Sequence, residues 1–239
     1  MTILYFDCFA GVSGHMLLAA LCDLGVDPNL IAELPRRLNM PNLAAAFTTC
    51  ECHGLRGLTL DFSRADGAGE RTLNEVIRII DRADLSDGVK QASGRAYSRL
   101  AAAEARVHNA PAERVHFHEV GRDQAIVGVT GFYVALEALG SPRVYSSPLV
   151  LGCGIARVAH GVIPLPGPAV MELVRGLPVK FIEQEGETIT PTGAALLAES
   201  ADFGSCPEMI ASAVGYGVGA KPFPDRPNMV RAVLGKSRE

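Results

Sequence analysis

Apolar and polar positions change period several times along the chain, and each change marks an element. Residues 2–9, TILYFDCF, are a β-rich apolar run that reads as a buried strand. The small residues of GVSG make a turn. Met16, Leu17, Ala20, Leu21 and Leu24 then recur at helical spacing until Gly25 stops them. Asp27 and Pro28 carry the cap and first-turn signals of a second short helix reaching Leu38. AAFTTCECHG and LRGLTLDFS alternate with period two, which predicts paired strands about a turn at His53-Gly54. RADGAGER reads as a polar loop. Helical spacing dominates from Thr72 to Ala110. The longer helix there starts at Ser86 and turns Val89, Ala92, Ala96, Leu100 and Ala103 one way.

RVHFHEVG interrupts that pattern, and QAIVGVTGFYVALEALG restores a helix. Gly128 and Gly131 cost that helix ~1 kcal/mol each relative to alanine, which close approach of a neighbour would justify. Beyond Gly140, VYSSPLVLG reads as a strand. Prolines at 164, 166 and 168 precede a short helix, PVKFIEQ is a strand, and TPTGAALLAESA is a loop entering a helix. IASAVGYGVGAK and NMVRAVLG close as strands split by KPFPDRPN. Strands interleaved with helices and local hairpins predict an α/β or α+β fold, a mixed sheet packed with helices. A length of 239 residues suits one domain spanning 1–239, with two sub-lobes meeting near residue 140 as the alternative.

Composition then narrows the partners. With 48% hydrophobic and 20% charged residues the chain can build a core, and disorder is excluded. Net charge is −4, and only Arg36 and Arg37 are adjacent cations, so no basic face for nucleic acid is expected. The start of the chain lacks a basic, apolar leader and no run is long enough for a membrane span, so a cytoplasmic protein is expected. The six cysteines form no CxxC array. Reduced, buried thiols are the simpler reading, and Cys50-Glu51-Cys52 would place two of them on one strand face.

Candidate chemistry centres on HFHE. Residues two apart on a strand point to one side, so His116 and His118 would converge, with Glu119 beside them. Imidazole suits zinc, nickel and copper, and a carboxylate can complete such a site. The other reading is a helix-capping histidine beside a half-exposed one, and the spacing alone leaves both open. Asp7 ends the first strand at a glycine/serine loop, where acidic residues face ligand crevices in α/β sheets or cap a turn. Gly11, Ser13 and Gly14 with His15 form a strand–loop–helix start that favours anions. Thr190, Thr192 and Gly193 offer a second such start, or an ordinary cap. His160 lies in a proline-stiffened loop. There is no GxSxG, HExxH or P-loop, and no catalytic residue is identifiable.

Six stretches, FDCFAGVSGHM, RVHFHEVG, SPLVLGCG, AHGVIPLPGPA, TPTGAALL and GYGVG…RPN, stand in the order found in the LarC family, and the chain resembles that family nearly end to end. The family's members insert nickel into a pyridinium bis-thiocarboxylate mononucleotide, consuming CTP, to make the nickel-pincer cofactor of lactate racemase. The resemblance implies a nickel chelatase or cyclometallase of the lyase class. It implies nickel at His116, His118 and Glu119 with Asp7, and a mononucleotide phosphate on the two helix starts and His160. Departures stand beside it. His15, Gln124 and Gly128 occupy places where the family carries aspartates, and a histidine-rich insertion is missing. The CTP-linked C-terminal domain is expected to be absent, so that CTP would not bind this chain alone. A binding module without metal chemistry, a subunit paired with a separate C-terminal partner, and a homo-oligomer are the alternatives left open.

Overall fold

The computed structural model describes residues 1–63, 70–158 and 161–238. Along the chain come β1 (Thr2–Asp7), α1 (Gly14–Leu24), the short α2 (Pro28–Ala32) and α3 (Leu34–Arg37), then β2 (Ala44–Cys52) and β3 (Leu55–Ser63). β4 (Arg71–Thr72), α4 (Leu73–Arg82), α5 (Asp87–His108), β5 (His116–Phe117) and α6 (Asp123–Ala138) follow. The remainder is β6 (Arg143–Ser146), β7 (Leu149–Cys153), β8 (Ile155–Val158), β9 (Gly161–Pro164), α7 (Pro168–Leu173), β10 (Val179–Glu185), α8 (Pro191–Ser200), β11 (Ala201–Phe203), β12 (Met209–Val218) and β13 (Met229–Ser237).

Seven strands form a mixed sheet in the order β11-β6-β1-β13-β12-β3-β2, the α/β arrangement expected from the sequence. β1 runs parallel to β6 and antiparallel to β13. Leu4 and Phe6 are fully buried on one face, whereas Tyr5 and Asp7 are half-buried on the other, where Ile3 is buried as well. α1 lies across β12, β3 and β13 on the buried face and packs against α6. Two glycines of β12 allow that contact. A Cβ on Gly215 would stand 2.2 Å from the Ala20 carbonyl oxygen, and one on Gly217 would stand 1.9 Å from that of Met16. The glycines of GYGVG are therefore there for packing. Leu17, Leu18 and Leu21 are wholly buried, and truncating any of them to alanine costs about 2–5 kcal/mol.

Local signals explain the ends of the elements. Ser13 caps α1 by accepting from Met16 N at 3.1 Å, and Ser86 caps α5 through Val89 N at 3.2 Å. Thr72 and Glu75 form a reciprocal capping box on α4. His53 and Gly54 both have positive φ, 51° and 76°, as a tight hairpin turn between β2 and β3 requires.

Two expectations change. VYSSPLVLG is not one strand: it breaks at Ser147-Pro148, so β6 joins the large sheet while β7 pairs with β10 in a separate two-stranded sheet. Proline's missing N–H accounts for the break. Across residue 140, β1 hydrogen-bonds to β6 and one apolar cluster joins residues from both sides. Close helix approach explains Gly131, whose Cβ would meet Leu18 at 3.0 Å, but not Gly128, where the nearest atom is His15 Cδ2 at 3.8 Å. The loop expected around RADGAGER falls largely at 64–69, outside the described residues.

Candidate functional site

Two helix starts meet where the chain brings positions 11–14 against 188–193. Val12 N donates to the Thr188 carbonyl at 2.8 Å, and Thr190 N donates to the Val12 carbonyl at 3.1 Å. Thr190 caps α8 by accepting from Gly193 N at 3.2 Å. Contact is tight enough that a Cβ on Gly193 would lie 2.8 Å from Val12 O, and one on Gly14 would lie 2.9 Å from the Thr192 methyl. Gly11 is held against Thr188, whose carbonyl oxygen a Cβ there would meet at 1.9 Å. The positive ends of two helix dipoles thus face a common space, favourable to an anion.

That space is a small cavity of about 160 Å³ lined by Ser13, Gly14, His15, Thr190 and Thr192, with Glu119 and Gln124 on another side. It adjoins two others. A larger cavity of about 420 Å³ has a mainly apolar wall from the β8–β9 hairpin and α7, and carries Glu104, His108, His118 and Glu119. A third, of about 200 Å³, lies between the helix starts and the loop after β12, with Lys221 and Asn228 on its wall. Glu187 borders all three. Its carboxyl remains in contact with the cleft's solvent. The surrounding walls desolvate it, and with the Glu119 charge raise its pKa against the opposing pull of Lys221. His15 sits between this cleft and Phe62, ring centroids 5.0 Å apart, and burial lowers its pKa against the weaker influence of Asp61.

The candidates named from the sequence divide. His118 and Glu119 line the cleft; His116 does not. β5 ends at Phe117, so the two-residue alternation that would have joined the histidines stops short of His118. His116 is exposed and acts electrostatically on Glu75, whereas His118 Nδ1 lies 2.6 Å from Glu70 Oε1. Asp7 lies away from them: on the opposite sheet face, its Oδ2 accepts from Arg231 Nη2 at 2.5 Å. Ser13, Gly14, His15, Thr190 and Thr192 line the cleft, while Gly11 and Gly193 serve the contact between its two walls. His160 lies outside the described residues. The departures at His15, Gln124 and Gly128 all line the same cavity. Asp123, beside Gln124, does not line it and is bound by Arg71 at 2.5 Å.

Sequence reasoning missed Glu187, Lys221, Asn228, Glu104 and His108. Only the last two carried a usable signal, since residues four apart on α5 share a face; their side chains lie 3.5 Å apart. Among the described residues, no group of three His, Cys, Asp or Glu side chains is placed to hold a metal ion. A dication here would complete its shell with water or with groups of an organic ligand. The cysteines are free thiols, but only Cys8 and Cys22 are buried; Cys50 and Cys52 are half-buried, and Cys153 and Cys206 are exposed, which corrects the expectation for those two. No helix among the described residues is long and apolar enough to cross a membrane.

Fold and cleft define a class: an α/β protein in which a cavity bearing carboxylates and imidazole adjoins two helix starts. The family described as "Nickel insertion protein" matches residues 4–239, and the chain belongs to that family. It is 40% identical over 241 residues to a "Putative nickel insertion protein" of Geobacter sp. (strain M21), covering 100% of this chain and 63% of the relative. The same description applies to relatives from Geotalea uraniireducens (strain Rf4) and Myxococcus xanthus (strain DK1622), both 42% identical, with 61% and 60% of their lengths covered. The chain therefore spans about three fifths of the curated relatives it matches. No solved structure matches.

Proposed function

We propose that the chain binds a nickel ion as substrate and passes it to a mononucleotide held in the same cleft, the pyridinium bis-thiocarboxylate mononucleotide implied by the resemblance. One observation carries this reading. A cavity bearing His118, Glu119 and Glu187 opens directly onto a second one where the starts of α1 and α8 converge. Carboxylate and imidazole suit a borderline dication, and two helix starts suit a phosphate. The apolar wall of the larger cavity suits a pyridinium ring, and ligand sulfur would supply the donors that the protein lacks.

Equilibrium dialysis against Ni²⁺ tests the metal half. Wild type and a His116→Ala control bind nickel equally, and a His118→Ala/Glu119→Ala double variant loses at least about tenfold in affinity. Equal binding by all three would sink the reading. A second reading, a mononucleotide-binding module without metal chemistry, is favoured by the neutral residues His15, Gln124 and Gly128 and by the missing metal cluster among the described residues. It predicts phosphate-dependent thermal stabilisation with no nickel binding.

A further inference from the structure

We infer that the cavity framed by Glu187, Lys221 and Asn228 is a pentose subsite, which receives the vicinal hydroxyls of a ribose phosphate. The inference rests on the helix starts as the phosphate seat and extends that reading to the sugar.

Asn228 is only 6% exposed. Its Nδ2 donates to the Lys221 carbonyl at 2.8 Å, which sets the amide's orientation. Among the described residues its Oδ1 has no hydrogen-bond partner, although it is buried in the wall of this cavity. A buried carbonyl oxygen without a donor is rare, and a ligand donor is one remedy. The loop holding it is braced: Gly219 N donates to the Asn228 carbonyl at 2.8 Å, and a Cβ on Gly219 would stand 2.4 Å from Asn228 Nδ2. The acceptor is thus built in, not left over from a loose turn.

The neighbouring groups fit the same chemistry. Glu187 adds a second acceptor, and the Lys221 ammonium adds a cation whose charge acts on Glu187. Two acceptors and a donor match a diol, whose hydroxyls donate to the first two and accept from the third. A fully ionised phosphate has no proton to offer Asn228 or Glu187. The cavity, about 200 Å³, has room for a five-membered sugar ring. It shares Ser13, His15 and Thr190 with the helix-start cavity and Glu187 with the apolar one. A sugar here adjoins the phosphate seat directly and meets the apolar cavity only at Glu187.

Calorimetric titration of the whole chain with inorganic phosphate, ribose 5-phosphate and 2-deoxyribose 5-phosphate tests this. Ribose 5-phosphate binds about tenfold or more tighter than inorganic phosphate, and the deoxy sugar loses most of that gain, because a site built for a hydroxyl leaves its partner unpaired without one. Asn228→Ala and Glu187→Ala, each checked for folding by its melting transition, both reduce the preference to about threefold or less. Glu187 lies in the open cleft, so its variant keeps the test decisive if Asn228→Ala fails to fold. Phosphate binding with no added gain from the sugar, or a preference that survives these variants, overturns the pentose subsite and leaves the phosphate seat standing. Binding of none of the three probes overturns both.

Discussion

Replacing Gly193 by alanine tests the join on which the cleft depends. An added Cβ would stand 2.8 Å from Val12 O, 2.9 Å from Ser13 Cα and 3.0 Å from Val12 C, all backbone atoms that cannot rotate aside. The two walls must therefore separate by several tenths of an ångström, stretching the Val12–Thr188 and Thr190–Val12 hydrogen bonds. Overpacking costs ~1–3 kcal/mol, and against three backbone atoms the upper half of that range, ~2–3 kcal/mol, applies. Alanine's better helix propensity returns up to ~1 kcal/mol. The net loss is about 1–2 kcal/mol, or roughly 2–8 °C in Tm for a chain of this size. Gly128→Ala is the matched control, because its new methyl meets nothing closer than 3.8 Å. That variant gains up to ~1 kcal/mol and melts higher by up to about 4 °C. Differential scanning calorimetry reads both in one buffer. A Gly193→Ala protein as stable as wild type would refute the close contact, and with it the convergence of the two helix starts.

Other consequences follow from the same geometry. Burial depresses the His15 pKa, so its neutral form is favoured in the folded chain. Its contribution to stability is complete above the unfolded value of about 6.5 and is lost as pH falls through the folded pKa. Denaturation at pH 7.5 and 5.5 should show that loss, reduced in His15→Asn; an unchanged slope would contradict it. Burial pushes the Cys8 and Cys22 thiols up to about 12, so iodoacetamide at neutral pH should modify exposed Cys153 and leave those two intact by peptide mass spectrometry. Glu199 receives Arg95 Nε at 2.7 Å and Arg99 Nε at 2.6 Å, tying α8 to α5. Both arginines are about half exposed, so Glu199→Gln costs no more than ~1 kcal/mol by urea denaturation, and less at high salt.

Much of the fold was legible because local rules wrote it. Ser13 and Gly25 bracket α1, Ser86 opens α5, and His53-Gly54 turns the β2–β3 hairpin. The cleft was legible only in halves. The helix starts were visible because capping hydroxyls and glycines cluster within a few residues of each other. Glu187 stood in QEGETIT with no spacing to mark it, and Asn228 lay in a proline-rich connection. These residues gain meaning from tertiary contacts that bring positions 13, 119, 187, 221 and 228 around adjoining cavities that share Glu187. Asp7 lies apart from the histidines because strand alternation sends its side chain to the other sheet face, where Arg231 meets it. His116 and His118 part because β5 is two residues long.

The central claim is that metal and mononucleotide occupy adjoining parts of one cleft, so their binding must be linked. Nickel affinity should be measured by calorimetry with and without saturating nicotinic acid mononucleotide, a pyridinium mononucleotide carrying a ring carboxylate. The account predicts nickel binding at least about fivefold tighter with the nucleotide present, and nucleotide binding tightened by the same factor when nickel is present. Nickel affinity that does not change at saturating mononucleotide would contradict it.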